Sequence, residues 1–257
     1  MNTPTAVRAF SQDDWNDYAR CYDSLAKLTP YVEMVKGVAQ KVLLGERGPI
    51  LDAACGTGNF ESSLLSEQIH QTFQATGVDS SQAMLRRARR KCEKYEGVSF
   101  IEADLNVTLP FGNETFKQLV SINTLYAVSS PRDTLLEFGR VLQKGGVLHL
   151  VTPKYGYENG LILKSHCGSS LPDDFWTNAH ATPEREEFLI REAISDEGLI
   201  EDMLSAAKYN RLIGRTGIFH FFKEEDLIDL LSRTSFSVVR SSLTYADQAL
   251  FITATKI

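Results

Sequence analysis

The residues best suited to chemistry lie in Ile50-Leu51-Asp52-Ala53-Ala54-Cys55-Gly56-Thr57-Gly58-Asn59-Phe60, where an apolar run meets a Gly-x-Gly turn and then a helical pattern. Glycines let the chain turn sharply and let its backbone approach a ligand with no Cβ in the way. Free N–H groups at the start of the following helix favour an anionic group. A second apolar run ends in Gly77-Val78-Asp79-Ser80. An acid at that strand end is placed to accept hydrogen bonds from both ribose hydroxyls of an adenosine.

Two ligand classes share this plan, and the glycines separate them. A dinucleotide fold uses G-x-G-x-x-G, whose third glycine gives close helix–sheet packing. Here the third position is Glu61, and an acid, Asp52, stands at the head of the turn. An acid there does not suit a pyrophosphate; it suits a ligand carrying an ammonium group. S-adenosylmethionine has an adenosine, an α-ammonium and an α-carboxylate, which matches all three features.

These residues need elements to hold them. Short apolar runs at 50–54, 72–79, 98–103, 118–122 and 147–151 read as strands, alternating with helical stretches at 59–69, 81–95 and 131–142. Parallel strands need crossover connections, so this alternation predicts a doubly wound α/β sheet covered on both faces. The first 45 residues read as helix, with Ser11 as cap, aromatics at Trp15, Tyr18 and Tyr22, and an interruption at Pro30. After Pro153 the rhythm breaks into an aromatic and turn-rich stretch containing Tyr155, Tyr157, Phe175 and Trp176. Helices are expected at 183–194 and 197–209, then at 223–233, followed by strands 237–244 and 249–255 joined by a hairpin. The expected domains are a helical cap over 1–49, a cofactor-binding sheet over 50–153 and 216–257, and an insertion over 154–215 serving as substrate lid.

Length and composition agree with a globular protein. The chain has 257 residues, 43% hydrophobic and 23% charged, with a net charge of −6, which excludes wholesale disorder. The acidic balance argues against a dedicated nucleic-acid binder. No run reaches the roughly 18 apolar residues of a membrane span, and Met1 to Phe10 lacks an apolar export core. Cys21, Cys55, Cys92 and Cys167 form no CxxC pair, so reduced thiols and a cytoplasmic location are expected.

The ordered motifs resemble those of class I S-adenosylmethionine-dependent methyltransferases. The resemblance lies in Asp52-x-x-Cys55-Gly56-Thr57-Gly58, Asp79, Ala103-Asp104-Leu105, Arg140 to Leu148 with its Lys144-Gly145-Gly146 turn, and Phe221 to Leu227. It is nearest in flavour to small-molecule enzymes related to the quinone C-methyltransferases. It implies a Rossmann-like seven-stranded sheet of order 3-2-1-4-5-7-6 with strand 7 antiparallel. The implied cofactor is S-adenosylmethionine, leaving as S-adenosylhomocysteine. By the same resemblance Asp52, Ala54, Gly56 and Gly58 face the methionine part, and Asp79 and Ser80 the ribose. Met84 packs beside the adenine, Asp104 receives the adenine amino group, and Leu105 adds a backbone contact. Asn123 lies beside the sulfonium, and Tyr18 and Tyr22, on helices that fold over the site, touch cofactor or substrate. Relatives carry a histidine where this chain has Ala127, so that histidine's role does not transfer.

The expected reaction is in-line methyl transfer to a small-molecule acceptor. The sulfonium is already a strong electrophile, so the protein supplies alignment and exclusion of water. His166, His180 and His220 are the candidate bases, and Tyr126 a candidate for orienting the acceptor. The basic run Arg86, Arg87, Arg89, Arg90, Lys91 and Lys94 shares a helix with an apolar stripe of Met84, Ala88, Cys92 and Tyr95, which reads as a solvated face. No metal site is expected, because His166, Cys167 and His180 match no zinc spacing. A monomer or homodimer without nucleic-acid or membrane partners completes the reading. Its rivals are an RNA or protein methyltransferase and a catalytically silent cofactor-binding scaffold.

Overall fold

Ser11 starts the first helix among the described residues with a reciprocal cap: its Oγ accepts from the Asp14 N–H at 3.3 Å, and Asp14 Oδ2 accepts from the Ser11 N–H at 2.7 Å. In the computed structural model, which describes residues 11–66, 73–168, 172–176, 182–216 and 219–257, that helix is α1 (Gln12–Tyr18). A 3-10 turn at Tyr22–Lys27 leads to α2 (Thr29–Leu44). Pro30 does not break this helix; it lies in its first turn, where the missing N–H has no partner to lose.

The alternating segment follows as β1 (Ile50–Ala53), α3 (Asn59–Ser66), β2 (Ala75–Asp79), α4 (Gln82–Cys92), β3 (Val98–Glu102), β4 (Phe116–Ile122), α5 (Pro131–Val141) and β5 (Leu142–Pro153). The expected ends of α3 and of the second strand, between 67 and 72, lie outside the described residues. Next come α6 (Asn159–Cys167), α7 (Asp173–Trp176), α8 (Pro183–Ala193), α9 (Glu197–Thr216), α10 (Glu224–Ser232), β6 (Phe236–Thr244) and β7 (Ala249–Lys256). Helix α6 was not expected from the aromatic, turn-rich sequence, and α9 runs past Tyr209 to Thr216. The Lys144-Gly145-Gly146 turn is a bulge inside β5: Phe116 pairs with Leu142, but Gln118 already pairs with Val147.

The seven strands form one sheet in the order β3-β2-β1-β4-β5-β7-β6. The first five pair in parallel, and β7 runs antiparallel to both β5 and β6. This is the class I methyltransferase topology that the motifs implied. Neighbouring residues of β4 point to opposite faces, so Val120 joins a core with α2, α3 and α6, whereas Leu119 joins one with α5 and α10. The order in which strands are added reverses between the parallel strands β1 and β4, and the crevice beyond their carboxyl ends is where such sheets take ligands. Among the described residues no helix is long and apolar enough to cross a membrane.

One buried polar contact ties the sheet to α2. The Gln118 amide donates to the carbonyls of Val42 and Glu46, both at 3.1 Å, and its Oε1 lies 3.0 Å from His149 Nε2. With Oε1 as acceptor, His149 is the neutral tautomer protonated at Nε2, while Nδ1 meets no hydrogen-bond partner. Burial, and then the nearby Lys41, hold this imidazole down to about 4. Unfolding returns it to its ordinary value near 6.5, so the unfolded chain binds the proton first. Its stabilisation is therefore complete above about pH 6.5 and shrinks on acidification, by about 3 kcal/mol at pH 4. Denaturant titrations of wild type and His149→Gln between pH 7 and 4 should converge by that amount; parallel stabilities would remove this role.

Candidate active site

The turn after β1 takes three left-handed residues, Ala54 (φ 66), Gly56 (φ 54) and Gly58 (φ 76). Gly58 lies against α4, where an added Cβ would come within 3.0 Å of Ala88 Cβ and 3.1 Å of its Cα. This contact sets the helix against the turn. Asp79, at the end of β2, holds the same turn from the other side. Its Oδ2 accepts from the Gly56 N–H at 2.9 Å and its Oδ1 from the Ser81 N–H at 2.8 Å. Burial raises this carboxyl to about 6 despite the two N–H donors. Each oxygen keeps a lone pair for a further donor.

A cavity of about 120 Å³ opens at this point, and Ala54, Gly56, Asp79, Ser80, Met84, Asp104, Leu105 and Asn123 line it. These residues come from the ends of four neighbouring strands and the loops that follow. Trp15 and Tyr22 close the cavity from the N-terminal segment. Asp104 is partly engaged already, its Oδ1 accepting from the backbone N–H and the side chain of Asn106 at 2.9 and 2.8 Å.

Of the expected cofactor residues, Gly58, Asp52 and Tyr18 do not line this cavity. Gly58 faces α4, as above. Asp52 is 2% exposed and lies beneath the turn beside Glu61, which is fully buried. Burial and the neighbouring carboxyl raise Asp52 well above the carboxylate range, and burial lifts Glu61 to about 7. No donor from another residue reaches the Glu61 oxygens, and burial biases both acids toward the protonated form. Asp52 therefore stands outside the wall of this cavity.

The N-terminal segment is latched over the cavity by side chains. Asn16 Oδ1 accepts from Ser81 Oγ at 2.7 Å and from the Ala83 N–H at 3.2 Å, and Gln12 donates to the Ser80 carbonyl. Lys91 bonds Asp23 at 2.9 Å and Thr57 at 3.1 Å, and Arg87 donates to the Arg20 carbonyl at 3.1 Å. Lys91 and Arg87 are thus clasps between α4 and the cap, which corrects their assignment to a solvated face. Tyr95, expected in the apolar stripe, is 45% exposed beyond the end of α4. Asn16→Ala removes an acceptor from two donors that cap α4, and should cost about 1–2 kcal/mol in denaturant unfolding. A stability equal to wild type would show the latch to be idle.

A second, larger cavity of about 490 Å³ adjoins the first, and Trp15, Tyr22 and Asn123 belong to the walls of both. Its other walls include Tyr18, Tyr126, Tyr157, Phe219, Phe221 and Tyr245, with the polar groups of Asn159, Glu186, Asn210 and Arg211. Tyr18 donates to Asn210 at 2.8 Å, Tyr157 donates to Asn159 at 3.0 Å, and Arg211 is ion-paired with the buried Glu186. Burial raises the Tyr126 phenol to about 12, so it stays protonated at neutral pH. Sequence reading missed Glu186, Asn210 and Arg211, which lie on the outer helices α8 and α9; their polarity alone gives no sign of an inward direction.

The described candidate histidines, His166 and His220, line neither cavity. His166 Nδ1 accepts from the Thr29 N–H at 3.1 Å, and it lines neither space. The His220 N–H donates to the Tyr126 carbonyl at 2.9 Å while its Nε2 is buried without a partner, and it too is absent from the walls. His180 lies outside the described residues. Of the insertion's aromatics, Tyr157 faces the large cavity, whereas Tyr155 is exposed and Trp176 is buried in the core. Among the described residues no group of three or more His, Cys, Asp or Glu side chains could hold a metal ion.

Residues 50–146 match the protein family described as a methyltransferase domain. The putative methyltransferase YqeM of Bacillus subtilis is 28% identical over 137 residues, covering 52% of this chain and 53% of the relative. The ubiquinone/menaquinone biosynthesis C-methyltransferase UbiE of Campylobacter jejuni is 33% identical over 145 residues, or 52% of this chain and 59% of that one. The chain therefore spans between half and two thirds of these relatives' length. A possible histamine N-methyltransferase from Thermotoga maritima superposes with a TM-score of 0.55 at 21% identity, covering 96% of this chain and 98% of the other. The magnesium protoporphyrin IX methyltransferase ChlM of Synechocystis, with bound S-adenosylhomocysteine, superposes at 0.55 with 14% identity over 89% and 85% of the two chains. At such identities the superpositions speak to fold.

Proposed function

We propose that this chain is a class I S-adenosylmethionine-dependent methyltransferase that transfers the methyl group of that cofactor to a small molecule held in the aromatic chamber. The observation that carries this reading is the junction of the two cavities at Trp15, Tyr22 and Asn123. A nucleoside in the smaller space and an acceptor in the larger would meet there and nowhere else along their walls.

The residues present fit the cofactor. Asp79 retains a lone pair on each oxygen for the two ribose hydroxyls, Met84 offers an apolar side chain to the adenine, and Asp104 retains one oxygen for its amino group. The Gly56 backbone approaches without a side chain. When bound, the cofactor supplies a methyl group already activated on a sulfonium. The protein's part is then alignment, worth several orders of magnitude in rate when the reacting atoms are held near contact. The N-terminal cap over 1–49 and the insertion over 154–215, acting as lid, exclude water from the junction.

The acceptor is read as a small molecule because the chamber is a partly open recess of about 490 Å³ walled largely by aromatic and aliphatic side chains, with no net charge once Glu186 and Arg211 pair. Among the relatives, a ubiquinone/menaquinone biosynthesis C-methyltransferase and a malonyl-[acyl-carrier protein] O-methyltransferase support this reading. The test is transfer of label from methyl-tritiated cofactor to a panel of phenols, amines and activated carbons, run beside RNA and protein. Label in a small molecule supports the proposal; label only in RNA or protein would overturn it.

A further inference from the structure

Besides Asn123 and the tyrosine hydroxyls, the polar groups in the wall of the larger cavity come from four side chains of the insertion: Asn159 on α6, Glu186 on α8, and Asn210 and Arg211 on α9. None of the four belongs to the smaller cavity, so they face an acceptor and not the cofactor. Their hydrogen bonding is one-sided. Tyr157 donates to Asn159 Oδ1 at 3.0 Å and Tyr18 to Asn210 Oδ1 at 2.8 Å, so each amide has its carbonyl engaged and its NH2 group left over. Among the described residues neither NH2 group meets an acceptor, and neither is sealed from solvent. Arg211 donates from Nη1 to Glu186 Oε2, and its other N–H groups likewise meet no acceptor among the described residues.

Charge decides what these donors can hold. Three sources of N–H would by themselves suit a carboxylate. Glu186 removes that option: it is 2% exposed, and Arg211 is its ion-pair partner. A carboxylate so buried depends on its cation. A second anion beside Arg211 would lie close to Glu186 and would lose its own hydration among rings and aliphatic chains. An ammonium would meet Arg211 and two amide NH2 groups, all of them donors. A neutral oxygen accepts from the same groups with no charge to desolvate. Burial, and after Tyr126 the charge of Glu186, push the Tyr157 phenol up, so Glu186 lies within electrostatic reach of the Tyr157–Asn159 pair.

We propose that the insertion holds an uncharged carbonyl oxygen of the acceptor, that of a ketone, ester or amide, through the N–H groups of Asn159, Asn210 and Arg211. Glu186 is a positioning residue: by cancelling the charge of Arg211 it turns an anion site into one for neutral oxygen. The inference rests on the methyl-transfer reading above and narrows it to a substrate class, an apolar body carrying a carbonyl. Because the four side chains lie outside the smaller cavity, this oxygen is the group by which the acceptor is held and not the atom that is methylated.

The test uses three probes that share a naphthalene body and differ in charge: 2-acetylnaphthalene, 2-naphthoate and 2-naphthylmethylamine, the last protonated at pH 7.5. Binding of each to the full chain saturated with S-adenosylhomocysteine is measured by calorimetry at that pH. Wild type should bind 2-acetylnaphthalene about tenfold more tightly than either charged probe. In Glu186→Gln the charge of Arg211 has no partner, so 2-naphthoate should gain about tenfold and overtake the ketone. Asn210→Asp keeps an oxygen for Tyr18 but loses the NH2 group. There the ketone should weaken about tenfold while the amine gains. A residue that merely props up the fold would weaken all three probes alike. Binding of S-adenosylhomocysteine shows which variants are folded, and if Glu186→Gln is not, the wild-type ranking and Asn210→Asp decide. A charged probe bound as tightly as the ketone by wild type, no binding of any probe, or an unchanged ranking in a folded variant would overturn the carbonyl assignment while leaving the cofactor reading intact. Failure of wild type to bind S-adenosylhomocysteine would overturn both.

Discussion

Asp79→Ala should weaken S-adenosylhomocysteine binding about a thousandfold. Two hydrogen bonds from ribose hydroxyls to a carboxylate are each worth about 1.5–3 kcal/mol, so losing both costs roughly 4 kcal/mol. The same side chain receives the Gly56 and Ser81 N–H groups, so alanine also releases the turn that the ligand must meet. Asp79→Asn keeps one oxygen acceptor and should retain part of the affinity. A pH effect follows from the raised carboxyl, at about 6 in the free protein. Ribose hydroxyls donate to the charged form, so binding draws the proton off. Affinity should be level above pH 7 and fall below pH 6 by up to about tenfold per unit. In Asp79→Asn that portion of the pH dependence should vanish. Calorimetry across pH 5 to 8 on wild type and both variants checks all of this, and wild-type affinity in Asp79→Ala would refute the assignment.

Gly58→Val should cost about 4 kcal/mol in stability, the sum of roughly 1–2 for a left-handed β-branched residue and about 1–3 for overpacking. The clash is with the backbone and Cβ of Ala88, at 3.1 and 3.0 Å, so no flexible side chain can move aside. Gly145 supplies the control. It shares the left-handed conformation, φ 73, but an added Cβ there meets nothing within 4 Å, so Gly145→Val should pay only the conformational part. Denaturant unfolding of the two variants separates the terms. Equal losses would mean that the close approach of turn and α4 is not what Gly58 provides.

Much of the fold was legible because local signals and global topology agree. The β1–turn–α3 segment declares itself by an apolar run, two glycines and a helical pattern. Asp79 and Asp104 end strands whose carboxyl ends must converge in a parallel sheet. The reading went wrong where a side chain's direction depends on a distant partner. Arg87 and Lys91 have the spacing of a solvated face; only the folded cap brings Asp23 to them. The chamber was hidden for the same reason. Glu186 meets Arg211, and Tyr18 meets Asn210, across separations that no periodicity encodes. Tyr18 and Tyr22 were expected to touch ligand, and the structure divides them: Tyr22 belongs to both walls, Tyr18 to the larger chamber alone.

In the proposed cofactor half, residues that line the cavity can be told from those behind it. Asp52, Glu61, Gly58 and Ala88 shape the turn from beneath, while Gly56, Asp79 and Asp104 present it. Substitution in the first group should be felt chiefly in stability, and in the second chiefly in affinity. The contrast between Gly58→Val and Asp79→Ala tests that division directly.

The central claim is that the smaller cavity binds the nucleoside of S-adenosylmethionine beside the aromatic chamber. Calorimetric titration of the wild-type chain with S-adenosylhomocysteine at pH 7.5 tests it most directly. The predicted result is saturable binding of one molecule per chain, abolished within the same concentration range by Asp79→Ala. No saturable binding at millimolar ligand, or equal binding by the variant, would contradict it.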